Sequence, residues 1–307
     1  MVGDERNRLR THLMQALSTR AVASQEPILQ HYAKTFVHAL QKQLQGRSGV
    51  VDIAHWYSIA TFDVISDLAF GKSFSGIESG TVHPWISIVI FIFKHAPFVR
   101  VFRELPGVKN IPYGIKSLFP LLPSWMQKTF SAHYYYGADL IDQRLASPVD
   151  RPDFIHYFLS ETSMTLEEIK ENAIMLVTAG SEPVRPRSLA GSQTQVKHVK
   201  QTGTFKAGLC YFLAKNPLVL HKLEREIRTS FLVDEDMTLS KLAQLPYLNL
   251  VIREGLRVFP SAADIFPRVV PAGGDFVMGE FLSEGVGEQI LCYLFCVFGV
   301  LYGNREF

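Results

Sequence analysis

With 307 residues, 47% of them apolar, the chain is long enough for one large or two ordinary domains around a sizeable core. Lysine and arginine total 31 against 29 acids, a formal charge of +2, which gives no electrostatic reason for a nucleic-acid partner. The three cysteines, Cys210, Cys292 and Cys296, make neither a disulfide framework nor a zinc-binding spacing, so a reducing compartment is the default.

The chain opens on Met1-Val-Gly-Asp-Glu-Arg, charged where an anchor or secretory signal would need an apolar run, so no anchor is expected here. From Asp4 to Gln45, apolar residues recur at helical spacing (Leu13, Leu17, Ile28, Leu29, Tyr32, Phe36, Leu40, Leu44), which predicts at least two amphipathic helices. Val51 to Phe70 has a broader apolar face and runs into Gly71, the pattern of a buried helix with a glycine stop. Prolines at 84, 97, 106, 112, 120 and 123 then break the chain into short helices and loops. Trp85–Phe93 and Ile290–Tyr302 are apolar but shorter than the roughly 20 residues that span a bilayer.

A helix follows from Trp125 to about Ala146, then a linker over Pro148–Pro152 and a short segment, Asp153–Ser160. Thr165 and Glu168 form a capping box that opens a helix through Ile169, Ala173, Leu176 and Val177. Further helices are predicted over Pro217–Ser230 and Leu245–Val258, the second with Pro246 in its first turn. Few strands of period two precede Arg268, so the expected class is mainly α with a small β region near the end. Two segments break the texture. Pro183–Gln201 is basic and poor in apolar residues and interrupts a helical pattern, and the tail 286–307 shows no alternation that ties it to the strand region.

Glu254 and Arg257 stand three apart in Leu245-Pro-Tyr-Leu-Asn-Leu-Val-Ile-Arg-Glu254-Gly-Leu-Arg257-Val-Phe-Pro260, so they share a helix face and can pair. An E-x-x-R spacing by itself is met in many solvated helices. Here the surroundings are apolar, and a second arginine follows in Phe266-Pro267-Arg268-Val-Val-Pro271-Ala-Gly-Gly274. Together these strings resemble the K-helix and adjacent strand of fungal cytochromes P450. The resemblance implies that Glu254 and Arg257 form a buried structural pair, whose loss would be severely destabilising, and that Arg268 contacts a haem propionate through a guanidinium suited to carboxylates.

Upstream, Thr178-Ala179-Gly180-Ser181-Glu182 is similar to the family's I-helix motif, A/G-G-x-E/D-T-T, in which small residues open the helix beside haem and the acid and threonine relay protons to dioxygen. Pro183 stands where that threonine is usual, and the family pattern resumes at Thr202-Gly-Thr204, ending in Lys215-Asn216-Pro217. Excision of Pro183–Gln201 would rejoin the motif with Thr202 as the relay threonine. A retained intron explains this most simply, with a surface insertion or chance as the alternatives. Asp4–Ser18 resembles the C-helix, with Arg10 matching the arginine for the other propionate and Arg6 standing where tryptophan or histidine is usual.

The resemblance covers 1–285 as a partial cytochrome P450 domain, with 183–201 as the insertion and 286–307 as a tail outside the family pattern. It implies a haem (heme) cofactor, a small apolar substrate, electrons from an NADPH-cytochrome P450 reductase, and a place in fungal secondary metabolism. It also implies an endoplasmic-reticulum membrane location for a full-length enzyme, whereas these residues alone would be cytoplasmic. The family's cysteine signature, F-x-x-G-x-R-x-C-x-G, does not occur in the 307 residues, and none of the three cysteines has its glycine and arginine frame. No metal ligand is therefore assigned. The alternative to a monooxygenase is a catalytically inactive, truncated P450.

Overall fold

The computed structural model describes residues 3–46, 49–89, 91, 95, 123–147, 151–159, 164–180, 202–259, 265–270, 272–277, 279–284 and 287–291. The chain divides into two compact units, one holding residues 1–185 with 238–240 and the other holding 186–237 with 241–307.

In the first unit the chain runs through α1 (Gly3–Ala16), α2 (Thr19–Ser24), α3 (Glu26–Leu44), α4 (Ile53–Phe70), α5 (Gly76–Ser79), α6 (Ser124–Ala146), α7 (Phe154–Leu159) and α8 (Leu166–Gly180). Their ends follow local chemistry. Asp52 caps α4 by accepting from the amides of Ala54 and His55, both at 3.1 Å, and Gly71 ends the helix at φ 68, a left-handed conformation that a Cβ would disfavour. The expected capping box opens α8: Thr165 N donates to Glu168 Oε2 at 2.8 Å, and Glu168 N donates to Thr165 Oγ1 at 3.3 Å.

Helices α4, α6, α7 and α8 bury a common core that includes Phe62, Phe70, Ile141, Ile155, Phe158, Ala173 and Val177. Full burial of each large side chain of this kind contributes about 1.5–3 kcal/mol. A smaller cluster of Tyr32, Trp56, Ile59 and Ile77 sits where α3 and α5 meet α4. Asp63 is buried beside it and caps α5 from a distance, its two carboxylate oxygens accepting from Gly76 N at 3.0 Å and Ile77 N at 2.8 Å. Burial pushes the Asp63 pKa up, and these amides pull against that shift.

Charged side chains tie the C-terminal ends of α4 and α6 to the start of α7. Arg144 Nε donates to the fully buried Asp153 at 2.9 Å. Arg151 makes a bidentate contact with Asp67, at 3.0 and 2.8 Å, and lies 3.7 Å from Asp153. The other Asp153 oxygen caps α7 through His156 N at 2.9 Å. Among the described residues, two arginines thus face two aspartates.

The second unit holds α9 (Thr202–Lys215), α10 (Pro217–Ser230), a 3-10 turn at Asp234–Asp236, and α12 (Pro246–Val258). The short helix α11 (Leu239–Leu242) spans the division between the units. Helix α12 packs on α9 at Gly255, which faces Phe205 and Leu209. Leu245, at the N-cap of α12, has no side chain that can cap, and Glu226 of α10 supplies the acceptors instead, 2.8 Å from both Tyr247 N and Leu248 N. Strands β1 (Ile265–Val269), β2 (Asp275–Val277), β3 (Glu280–Leu282) and β4 (Gly287–Leu291) form two antiparallel pairs, β1 with β4 and β2 with β3.

The mainly helical class with a small β region is what the sequence predicts. The first helical stretch, read as at least two helices, holds three, the short one starting where Ser18 accepts from Ala21 N at 3.2 Å. Strand β4 departs from the reading of 286–307 as unconnected to the strand region: Gly287 to Leu291 pair in register with Val269 to Ile265. Ladder hydrogen bonds are made by backbone groups, so a segment without apolar alternation can still form them. The insertion 183–201 and most of the proline-broken stretch lie outside the described residues. Among the described residues no helix is long and apolar enough to cross a membrane.

Candidate functional site

The residues singled out by sequence divide between the units. Arg10, on α1, is exposed and forms no ion pair among the described residues. Two residues earlier, Arg8 pairs with Glu168, so the C-helix candidate is fastened to the capping box of α8. The Thr165 amide and the Arg8 guanidinium hold the Glu168 carboxyl below its ordinary range. Ala179 and Gly180 form the end of α8, with helical backbone. Glu182 lies outside the described residues, as does the side chain of Arg6.

Thr202 is the first residue of α9, and Arg268 lies in β1 opposite Glu288. Their side chains are outside the described residues. Glu254 and Arg257 do pair on α12, as their spacing predicts: Arg257 Nε and Nη2 lie 2.7 and 2.5 Å from the two Glu254 oxygens. The arginine holds the Glu254 carboxyl below its ordinary range.

Burial of this pair is the expectation that fails. The side chains are 58% exposed at Glu254 and 40% exposed at Arg257. The buried positions of α12 are Val251 and Gly255, and they put the other face of the helix against its neighbours. A bidentate pair left in water stabilises by at most about 1 kcal/mol. Glu254→Ala is therefore expected to leave this chain folded, with its urea midpoint moved by the equivalent of less than about 1 kcal/mol. A loss of several kcal/mol would mean that the pair is enclosed in solution.

Cys210 lies in α9 and is half-buried, while Cys292 and Cys296 are outside the described residues. Among the described residues no three His, Cys, Asp or Glu side chains are grouped to hold a metal ion. A cleft of about 380 Å³ at the C-terminal end of α10, lined by Ile227, Phe231, Leu232 and Met237 among others, contains none of the candidate residues.

The family model described as Cytochrome P450 matches residues 1–185 and 203–284. The chain belongs to the cytochrome P450 family. It is 35% identical over 277 residues to the cytochrome P450 monooxygenase ORF11 of Penicillium roqueforti, covering 90% of this chain and 54% of that protein. It is 34% identical over 281 residues to the monooxygenase astJ of Aspergillus oryzae, with 91% and 51% covered. It is 32% identical over 293 residues to the trichothecene C-15 hydroxylase of Fusarium sporotrichioides, with 92% and 55% covered. The chain thus spans about half the length of these curated relatives. A solved cytochrome P450DA mutant heme domain superposes with a TM-score of 0.68 at 16% identity, over 96% of this chain and 59% of that one, a likeness of fold. Membership of the family points to haem as cofactor.

What the described residues offer to haem can be tested on Arg10. Its guanidinium is in solvent and uncommitted, which suits a carboxylate such as a haem propionate. Sequence reasoning missed a further polar contact beside the I-helix candidate: His133 of α6 meets Thr178 of α8, one residue before Ala179, at 2.9 Å. A lone histidine within an amphipathic helix carries no signal that it turns inward, so only the fold reveals it.

Proposed function

We propose that this chain is part of a haem-dependent monooxygenase of fungal secondary metabolism, which hydroxylates or epoxidises an apolar small molecule with electrons from a reductase. The observation that carries the proposal is the family match across both units, joined to the I-helix and K-helix strings it contains. Arg10 and Arg268 would hold the propionates, and Ala179 and Gly180 would leave room at the helix beside the macrocycle. Glu182 and Thr202 would carry protons on a carboxylate oxygen and a hydroxyl respectively, the groups a relay needs. Haem held by a cysteine thiolate supplies electron donation that favours O–O cleavage. The relay assignment of Thr202 goes with the reading of 183–201 as inserted sequence. The family match, which stops at 185 and resumes at 203, supports that reading.

Titration of haem into the 307-residue chain tests the arginine assignment. Arg10→Gln and Arg268→Gln are each expected to weaken haem binding, by about tenfold if each removes one charge-assisted contact of about 1.5 kcal/mol. Equal affinity in both variants would remove these arginines from the site.

A second reading, favoured by the lack of any F-x-x-G-x-R-x-C-x-G string in these residues, is that the 307-residue chain itself does not turn over. Genomic sequence after the tail separates the two: an open frame encoding that string supports a working enzyme. Transcripts that always retain codons 183–201 would rule out the intron.

A further inference from the structure

The contact between α6 and α8 involves none of the residues assigned to haem or to proton relay above, yet it ends beside them. Thr178 precedes Ala179 by one residue and Gly180 by two. Its hydroxyl lies 2.7 Å from the carbonyl oxygen of Ile174, one turn back, and 2.9 Å from Nε2 of His133. A hydroxyl has one proton and a carbonyl can only accept, so the Thr178 proton goes to Ile174 and His133 Nε2 donates to Oγ1. That arrangement places a proton on His133 Nε2.

The surroundings agree. His133 is 8% exposed and stacks on Trp85, with ring centroids 5.0 Å apart and planes at 25°. Its Nδ1 is buried and, among the described residues, makes no hydrogen bond, as a bare nitrogen would with the proton on Nε2. Burial pushes the imidazole pKa down to about 4, so the ring is uncharged at neutral pH. One turn along α6, an added Cβ on Gly137 would stand 2.6 Å from Cγ1 of Ile174, so the two helices approach as closely as a glycine allows. Gly137 with Ile174 and His133 with Thr178 are successive rungs of one contact. The last rung falls at the turn that carries Ala179 and Gly180.

That turn is intrinsically weak. Glycine lowers helix propensity by about 1 kcal/mol relative to alanine, and a threonine bonded to its i−4 carbonyl bends the helix it sits in. We propose that His133 is a positioning residue, which acts through the Thr178 hydroxyl to set the position of the α8 turn bearing Ala179 and Gly180. The proposal deepens the reading of that turn as the opening beside haem, and rests on that reading for its functional meaning. By holding Thr178 Oγ1 from the α6 side, the imidazole keeps the threonine in one rotamer and leaves its proton on Ile174.

The test uses the full chain. Nitrogen-15 shifts of the histidine rings are expected to show His133 as the neutral Nε2-protonated tautomer at pH 7, and the Nδ1-protonated form or an imidazolium would overturn the proposal without any variant. Amide exchange at residues 178–180 is expected to quicken about tenfold in His133→Phe, which keeps a ring against Trp85, and in Thr178→Val, while the amides of α3 keep their rates. His133→Gln places an amide donor near the lost Nε2 and is expected to restore slow exchange. Unchanged exchange in the first two variants, or no rescue by glutamine, overturns the positioning role. Haem titrated into the same proteins separates the two layers: loosened exchange with an unaltered haem spectrum would uphold the clamp and contradict only the reading of the turn as haem-facing.

Discussion

Asp153→Ala is expected to destabilise the first unit by about 3–5 kcal/mol, the largest loss from any single substitution considered for this chain. Asp153 is fully buried and serves three partners: Arg144 Nε at 2.9 Å, Arg151 Nε at 3.7 Å and the His156 amide at 2.9 Å. Alanine would take a buried carboxylate away from the Arg144 guanidinium, whose side chain is 9% exposed, and would also strip the cap from α7. Asp153→Asn separates these effects, because its carbonyl can still cap while the charge is gone. The double variant Arg144→Met with Asp153→Leu is expected to recover much of the loss, since it removes both buried charges of that pair together. Urea unfolding measures all three. A change below about 1 kcal/mol for Asp153→Ala would contradict the enclosed network.

Stability is expected to fall on acidification between pH 6.5 and about 4, through His133. The group is neutral in the fold, with its pKa lowered by burial from 6.5 to about 4. Between those values the unfolded chain binds a proton that the folded chain does not, so stability rises with pH across this window and is fully present above 6.5. The slope is about 1.4 kcal/mol per pH unit, and the whole effect is about 3 kcal/mol. His83 is lowered in the same direction by burial, whereas Asp63 is raised and works with the opposite sign. The difference between wild type and His133→Phe cancels both. That difference should itself vary with pH between about 4 and 6.5, and a constant difference across the range would show that His133 titrates normally in the folded chain.

Much of the helical frame is legible in the sequence because it depends on neighbours in the chain. The Thr165 capping box, the Gly71 stop, Pro246 in the first turn of its helix, and the Glu254–Arg257 spacing all act within one turn, and the structure shows each. Contacts across the fold leave no such trace. Asp63 capping α5 over 13 residues, Glu226 capping α12 and the Arg144–Asp153 network all join residues whose partners the sequence does not mark. Burial of the Glu254–Arg257 pair was an inference from apolar neighbours, and it failed because only one face of α12 is packed. Strand β4 was missed because its sequence, GEQIL, has no pattern of its own and is defined by pairing with β1. Of the candidate site, sequence motifs single out Arg10, Arg268, Ala179 and Gly180 as candidates, but the His133–Thr178 contact beside the last two needed the packing of α6 on α8.

The most direct test of the functional reading is the reduced carbon-monoxide difference spectrum of the purified 307-residue chain after haem titration. Haem is expected to bind, because Arg10 is free to meet a propionate, and to show no Soret band at the position diagnostic of thiolate ligation, because no cysteine here stands in the glycine-and-arginine-framed loop. A thiolate-type band would contradict this and place Cys210, Cys292 or Cys296 on the iron.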